Sequence, residues 1–194
     1  MNSKKIILTA FILVALVQLF VPANMIWNKE ATLNTGVDFK FKTAPIDPND
    51  PFRGKYITLT YEESTIVVTD GQQYVNGESI YVSLTTDSAG YARIQSVSKT
   101  KPTDNENFVK AKVRTFWGDD SNELMIDYPF DRYYMEESKA YEAELTYRES
   151  QRDVNQITYA LVSVKNGDAV LKDVLIDGTS ISEIVRRVEL VENE

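Results

Sequence analysis

Asp47, Asn49 and Asp50 place three oxygen-bearing side chains within four residues, the raw material for a calcium site, since that hard cation takes about six to eight oxygens. Both aspartates, however, stand directly before a proline, and Asp-Pro is ordinary turn chemistry that needs no ion. The turn is the expected reading. Arg53 lies close enough in sequence to pair with those carboxylates; an exposed pair is worth about 0–1 kcal/mol, too little to organise a fold. A pair that fixes the loop is still the expected role of Arg53; the functional alternative sets it with Tyr56 on the rim of a binding surface, because both residue types are enriched at interface hot spots. Gly118 to Glu123 carries calcium-like acids but lacks the later glycine and distant glutamate of an EF-hand. Glu136 and Glu137 could supply catalytic carboxylates, yet nothing fixes two of them across a cleft. They suit a helix start, where the dipole favours acids. Ser138 and Lys139 are the elements of a Ser–Lys hydrolase, but adjacency does not set hydroxyl against amine.

Two absences narrow the chemistry further. The chain has no histidine, which removes a Ser-His-Asp triad, a His-ligated zinc site and the usual acid–base group near neutral pH. It has no cysteine, and so no disulfide, thiolate nucleophile or lipid-attachment thiol. Any hydrolase here would need a Ser–Lys, Thr or carboxylate mechanism, and no catalytic residue, metal or cofactor is expected. Charge is acidic at −8, and outside residues 1–27 the chain carries 19 basic against 29 acidic side chains, or −10. A body of that sign repels phosphate backbones, so nucleic acid is not an expected partner.

The elements that must hold these residues begin with a greasy segment. Lys4 and Lys5 precede 16 uninterrupted residues, Ile6 to Val21, that are almost all apolar. Counted through Trp27 the segment is 22 residues, about 33 Å as a helix, enough to cross a hydrocarbon core. Trp27 suits the interfacial belt, and the lysine pair keeps the N-terminus in the cytoplasm. A cleaved signal peptide is the rival, with Val21-Pro22-Ala23 as its cut; the apolar run is long for that role. The expected organisation is an anchor over residues 1–27 and an exported domain over 28–194.

Within that domain, alternating or β-branched runs predict strands at Val37–Thr43, Tyr56–Tyr61, Thr65–Val68, Ser79–Leu84, Tyr91–Val97, Phe108–Trp117 and Glu123–Tyr128. Asn28 to Leu33 are compatible with further helical turns, which Asn34-Thr35-Gly36 would stop. Met135 to Arg148 reads as an amphipathic helix with Tyr141, Leu145 and Arg148 along one side. Asn166-Gly167 between two apolar runs is the clearest hairpin, and Asp177-Gly178 closes it. Ser180 and Glu183 fit a capping box ahead of a short C-terminal helix, with a last strand as the alternative. About eight strands and one or two helices imply a β-rich α+β fold. It should be a single, mostly antiparallel sandwich or barrel-like domain behind the N-terminal transmembrane helix. The eleven tyrosines are strand formers first and a carbohydrate- or peptide-binding face second.

The most distinctive stretch is the Pro/Asp run from Pro45 into Arg53-Gly54-Lys55-Tyr56-Ile57-Thr58-Leu59-Thr60-Tyr61. Alternation sets Tyr56, Thr58 and Thr60 on one side and Ile57, Leu59 and Tyr61 on the other. This resembles the family named for its GDYXXLXY motif, bacterial proteins of uncharacterised function, through Gly54, Tyr56, Leu59 and Tyr61. The resemblance takes in Thr35-Gly36, resumes at Arg132 to Glu137 and again from Asn166 to Gly178, and so covers most of the chain. Lys55 departs from it, standing where the name has Asp, which argues against a carboxylate-dependent site. The resemblance implies an exported, membrane-tethered domain, sometimes encoded near a multi-spanning membrane protein, and implies no reaction.

The expected function is thus an extracytoplasmic accessory or interaction domain on the cytoplasmic membrane. Its expected partner is a neighbouring multi-spanning membrane protein, met through Asp47, Asp50, Arg53, Gly54, Tyr56, Leu59 and Tyr61. An envelope ligand-binding module and a Ser–Lys-type hydrolase are the rivals.

Overall fold

Helix α1 runs from Ser3 to Thr35 and carries Pro22 inside it. The computed structural model describes residues 3–45, 56–69, 74–114, 122–153 and 155–192. The greasy part of α1 is not buried against any of the described residues and is long and apolar enough to cross a membrane. Its last turns behave differently: Thr32 is buried, and the chain reverses at Gly36 into strand β1 (Val37–Ala44). The helical continuation expected for Asn28 to Leu33 is present, and it ends at the Thr35-Gly36 stop.

β1 pairs antiparallel with β10 (Thr158–Lys165), which forms a hairpin with β11 (Asp168–Ile176). The turn between them is Asn166-Gly167 at φ 52° and 98°, left-handed values that Asn and Gly tolerate best. Two short strands complete this sheet, β12 (Thr179–Ser180) beyond β11 and β3 (Thr60–Tyr61) beyond β1. A second five-stranded sheet runs in the order β4 (Thr65–Val67), β8 (Glu123–Asp127), β7 (Phe108–Arg114), β5 (Ser79–Thr86) and β6 (Ala92–Ser98). β2 (Tyr56–Thr58) and β9 (Arg132–Tyr134) make a separate ribbon. The excess over eight strands comes from the division of the Tyr56–Tyr61 run into β2 and β3 and from β9 and β12, which are too short to show alternation. The β-rich, antiparallel organisation is as expected.

The two large sheets share one core and meet along the backbone at two places, which closes them toward a barrel. Lys40 bridges Tyr91, and the Asn166-Gly167 turn locks onto the start of β7: Gly167 donates to the Phe108 carbonyl at 3.0 Å and Lys110 donates back to Gly167 at 2.9 Å. At the centre Phe41, fully buried, meets the rings of Tyr61, Tyr128 and Phe130 at centroid distances of 5.5, 5.4 and 5.1 Å. Such tilted aromatic contacts add to the burial itself. The two phenols keep their hydroxyls satisfied, Tyr61 on the Phe130 carbonyl (2.6 Å) and Tyr128 on the Glu63 carbonyl (2.9 Å).

Helix α2 (Glu137–Ser150) starts beside Glu136, as the acids there suggested, but buries a different face from the one expected. Ala140, Ala143, Tyr147 and Ser150 face inward, whereas Tyr141 is 57% exposed and Arg148 pairs with Glu144 on the surface. The two alanines let the helix backbone approach closely, so Tyr147 becomes the anchor and the larger Tyr141 turns out. Helix α3 (Ile181–Glu192) packs against α2 and buries Ile181 and Val185, so the C-terminal helix and not the alternative strand forms.

Two stability predictions follow from contacts in this frame. A Cβ on Gly36 would stand 2.5 Å from both Ser163 Oγ and the Thr32 carbonyl, so Gly36→Ala should cost about 1–3 kcal/mol in urea unfolding. Tyr61→Phe strips the Phe130 carbonyl of its donor in the core and should cost about 1–3 kcal/mol. Among the described residues the buried Tyr147 hydroxyl makes no well-formed hydrogen bond, only an approach to Thr43, so Tyr147→Phe should cost less than Tyr61→Phe; equal losses in the two phenylalanine variants would contradict that contrast.

Candidate functional site

Of the residues expected to form a binding surface, Asp47, Asp50, Arg53 and Gly54 lie outside the described residues, as do Asn49 and Lys55. The other three are placed, and they divide. Leu59 and Tyr61 are core residues, 2% and 5% exposed, alongside Ile57. Tyr56, Thr58 and Thr60 lie on the outer side, as alternation required. The segment also changes partner midway. Tyr56 to Thr58 pair with β9, the Leu59 amide donates to the Asp131 carbonyl at 2.8 Å, and Thr60 and Tyr61 pair with β1. One short stretch thereby ties the ribbon to the first sheet. Leu59 and Tyr61 serve this junction and are buried in it, so of the three placed residues Tyr56 is the one at the surface.

Tyr56 is the member that reaches the surface. It sits opposite Tyr134 in the ladder, ring centroids 5.4 Å apart, and the Arg132 guanidinium lies 4.9 Å from its ring centre. Tyr134 is 63% exposed, and the flat cation caps a ring that offers its negative face. Contact with the Tyr134 hydroxyl, then with Tyr56 and Asp131, holds Arg132 firmly protonated. An aromatic pair capped by arginine has the composition of an interface hot spot.

Beside this patch lies a cleft of about 480 Å³, walled by Tyr133, Tyr134, Met135, Lys139, Ser182 and Arg186. The Tyr133 hydroxyl donates to Asp173 Oδ1 at 3.0 Å and lies 3.0 Å from Ser182 Oγ, fixing β9 to β11 and α3. Partial burial pushes its phenol above the ordinary range, so it remains a neutral donor. Lys139 pairs with Glu136 at 3.1 Å, and Glu183 pairs with Arg187. Lys139 therefore sits against a carboxylate, unlike the desolvated amine that activates a serine. The cleft brings together charges of both signs and two tyrosines.

Arg132, Tyr134 and the cleft were not assigned from sequence, although Arg132 to Glu137 belong to the stretch that resembles the family. No local pattern predicts that Tyr56 will pair with Tyr134, because that register is set by a ribbon whose strands are far apart in the chain.

No curated protein and no solved structure matches the chain. The family model described as GDYXXLXY protein matches residues 18–174, from the middle of α1 through most of β11. With the motif residues Gly54, Tyr56, Leu59 and Tyr61 inside that match, the chain belongs to the GDYXXLXY family.

Proposed function

We propose that this protein is a single-pass, membrane-anchored interaction domain that binds a neighbouring multi-spanning membrane protein through the Tyr56, Arg132 and Tyr134 surface. α1 crosses the cytoplasmic membrane with its N-terminus inside, and residues 28–194 lie outside. The composition of α1 supports the crossing: its only charges before Lys29 are Lys4 and Lys5, at the end that positive charge keeps in the cytoplasm. The aromatic pair under an arginine, with Tyr134 exposed and Tyr56 half-buried, carries the binding assignment, because it presents a rigid contact area of the kind found at hot spots. The adjoining cleft, open and mixed in charge, suits a protein segment better than the enclosed, mainly apolar pocket a small molecule prefers.

The absence of cysteine makes the topology directly measurable. Ser88→Cys, on the Asp87–Gly90 turn, should react with a membrane-impermeant maleimide in intact cells, and Ser3→Cys should react only after lysis. The reverse pattern would place the domain inside. For the surface, a benzophenone amino acid at position 134 should give a discrete adduct in intact membranes. The same probe at Val67, 72% exposed on the other sheet, should not. Arg132→Ala should lower the adduct yield about fivefold or more, as hot-spot truncations do. Equal labelling from both positions would remove the assignment.

A further inference from the structure

The proposed crossing leaves one polar side chain near the middle of the bilayer. Gln18 stands about 18 Å along the helix from Ile6 and about 14 Å from Trp27. Its amide makes no hydrogen bond within the described chain. Thr9, by contrast, donates to the Lys5 carbonyl at 2.9 Å and is satisfied by its own helix. A second group is orphaned at the same point. Pro22 has no amide hydrogen, so the carbonyl four residues earlier loses its helical partner, and that carbonyl belongs to Gln18. One residue therefore presents two side-chain donors, a side-chain acceptor and a free backbone acceptor to hydrocarbon, where no water can satisfy them.

The direction in which Gln18 points follows from helix periodicity. Phe11, Ala15, Gln18, Pro22, Met25, Lys29 and Thr32 recur at alternating spacings of three and four, which is a single stripe. At its upper end this stripe is the one that holds the domain. Thr32 is 3% exposed, and Lys29 donates to the Ala169 carbonyl at 3.2 Å and pairs with Asp168 at 3.4 Å. Gln18 thus faces the part of the bilayer that lies beneath the domain.

We infer that Gln18 is a docking site for a transmembrane helix of a different protein, one that ends below the domain and carries a hydrogen-bonding side chain at its own midpoint. A second copy of this chain does not fit there. Its residues 28–35 and the domain behind them would have to rise through the space that the first domain fills. A partner helix that stops at the membrane surface meets no such obstacle. Ala15, one turn below Gln18, keeps the stripe narrow enough for close approach, and side-chain amides are effective interhelical donors and acceptors.

This inference rests on α1 spanning the membrane, and the test separates the two claims. A photo-crosslinking amino acid is placed at Ala15, on the stripe, and at Phe20, on the opposite side, in chains with Gln18, Gln18→Leu or Gln18→Asn. Two differently tagged copies are co-expressed. Ala15 should give one adduct that contains a single tag, and peptide mapping should place the attachment on an apolar helix with a polar residue near its middle. Gln18→Leu should reduce that adduct roughly three- to thirtyfold, Gln18→Asn should retain most of it, and Phe20 should give little. An adduct containing both tags, attachment to lipid or to a wholly apolar helix, or a yield indifferent to Gln18→Leu would overturn the site while leaving the anchor intact. A chain that starts at Asn24 by N-terminal sequencing would overturn both.

Discussion

The close approach of α1 to β10 at Gly36 is the contact on which the rest of the molecule hangs. A helix C-terminus leaves its last carbonyls without amide partners. Here the Thr32 carbonyl accepts twice, from the Gly36 amide at 2.9 Å and from the buried Ser163 hydroxyl at 2.8 Å, so a helix end is satisfied by a sheet side chain. Any side chain at position 36 would hold the two apart. Lys165 adds a bond to the Thr35 hydroxyl at 2.7 Å, and Lys29 reaches the neighbouring strand. The helix therefore enters the domain as part of its structure, without a flexible tether, and its rotation about its own axis is set by the sheet. Because that rotation is set, the face on which Gln18 lies is defined relative to the domain.

The motif that names the family is chiefly an instrument of assembly. Leu59 and Tyr61 fill the core where the β2–β9 ribbon passes into the first sheet, and the Leu59 amide bridges the gap to Asp131. Of the described residues Tyr56, Leu59 and Tyr61, it is Tyr56 that faces outward, onto a patch whose other members come from β9.

Much of the fold was legible because its signals are local. Asn166-Gly167 announces its turn by the φ values it must adopt, and the alternation of Val37 to Thr43 sorts Phe39 and Phe41 inward and Lys40 and Lys42 outward. Ile57, Leu59 and Tyr61 fell on the buried side for the same reason. The failures are equally physical. The buried face of α2 was misread because a large apolar side chain, Tyr141, outweighed two alanines, although small residues are what allow a helix to sit close. The site was only partly legible because Tyr56 meets Arg132 and Tyr134 through a pairing between distant segments, and cross-strand register of that kind leaves no trace in either segment alone.

The pairing of β1 with β10 has a consequence for how the protein comes into being. Thr43 donates to the carbonyl of Thr158, 115 residues further along, and the whole first sheet is built on that long-range seam. Synthesis delivers β1 first and its neighbour close to last, so an apolar strand with open edges must wait through most of translation. Loops that long close slowly, and an unpaired edge invites association with other chains. Newborn copies of this protein are accordingly candidates for chaperone protection until the C-terminal hairpin arrives to shut the sheet.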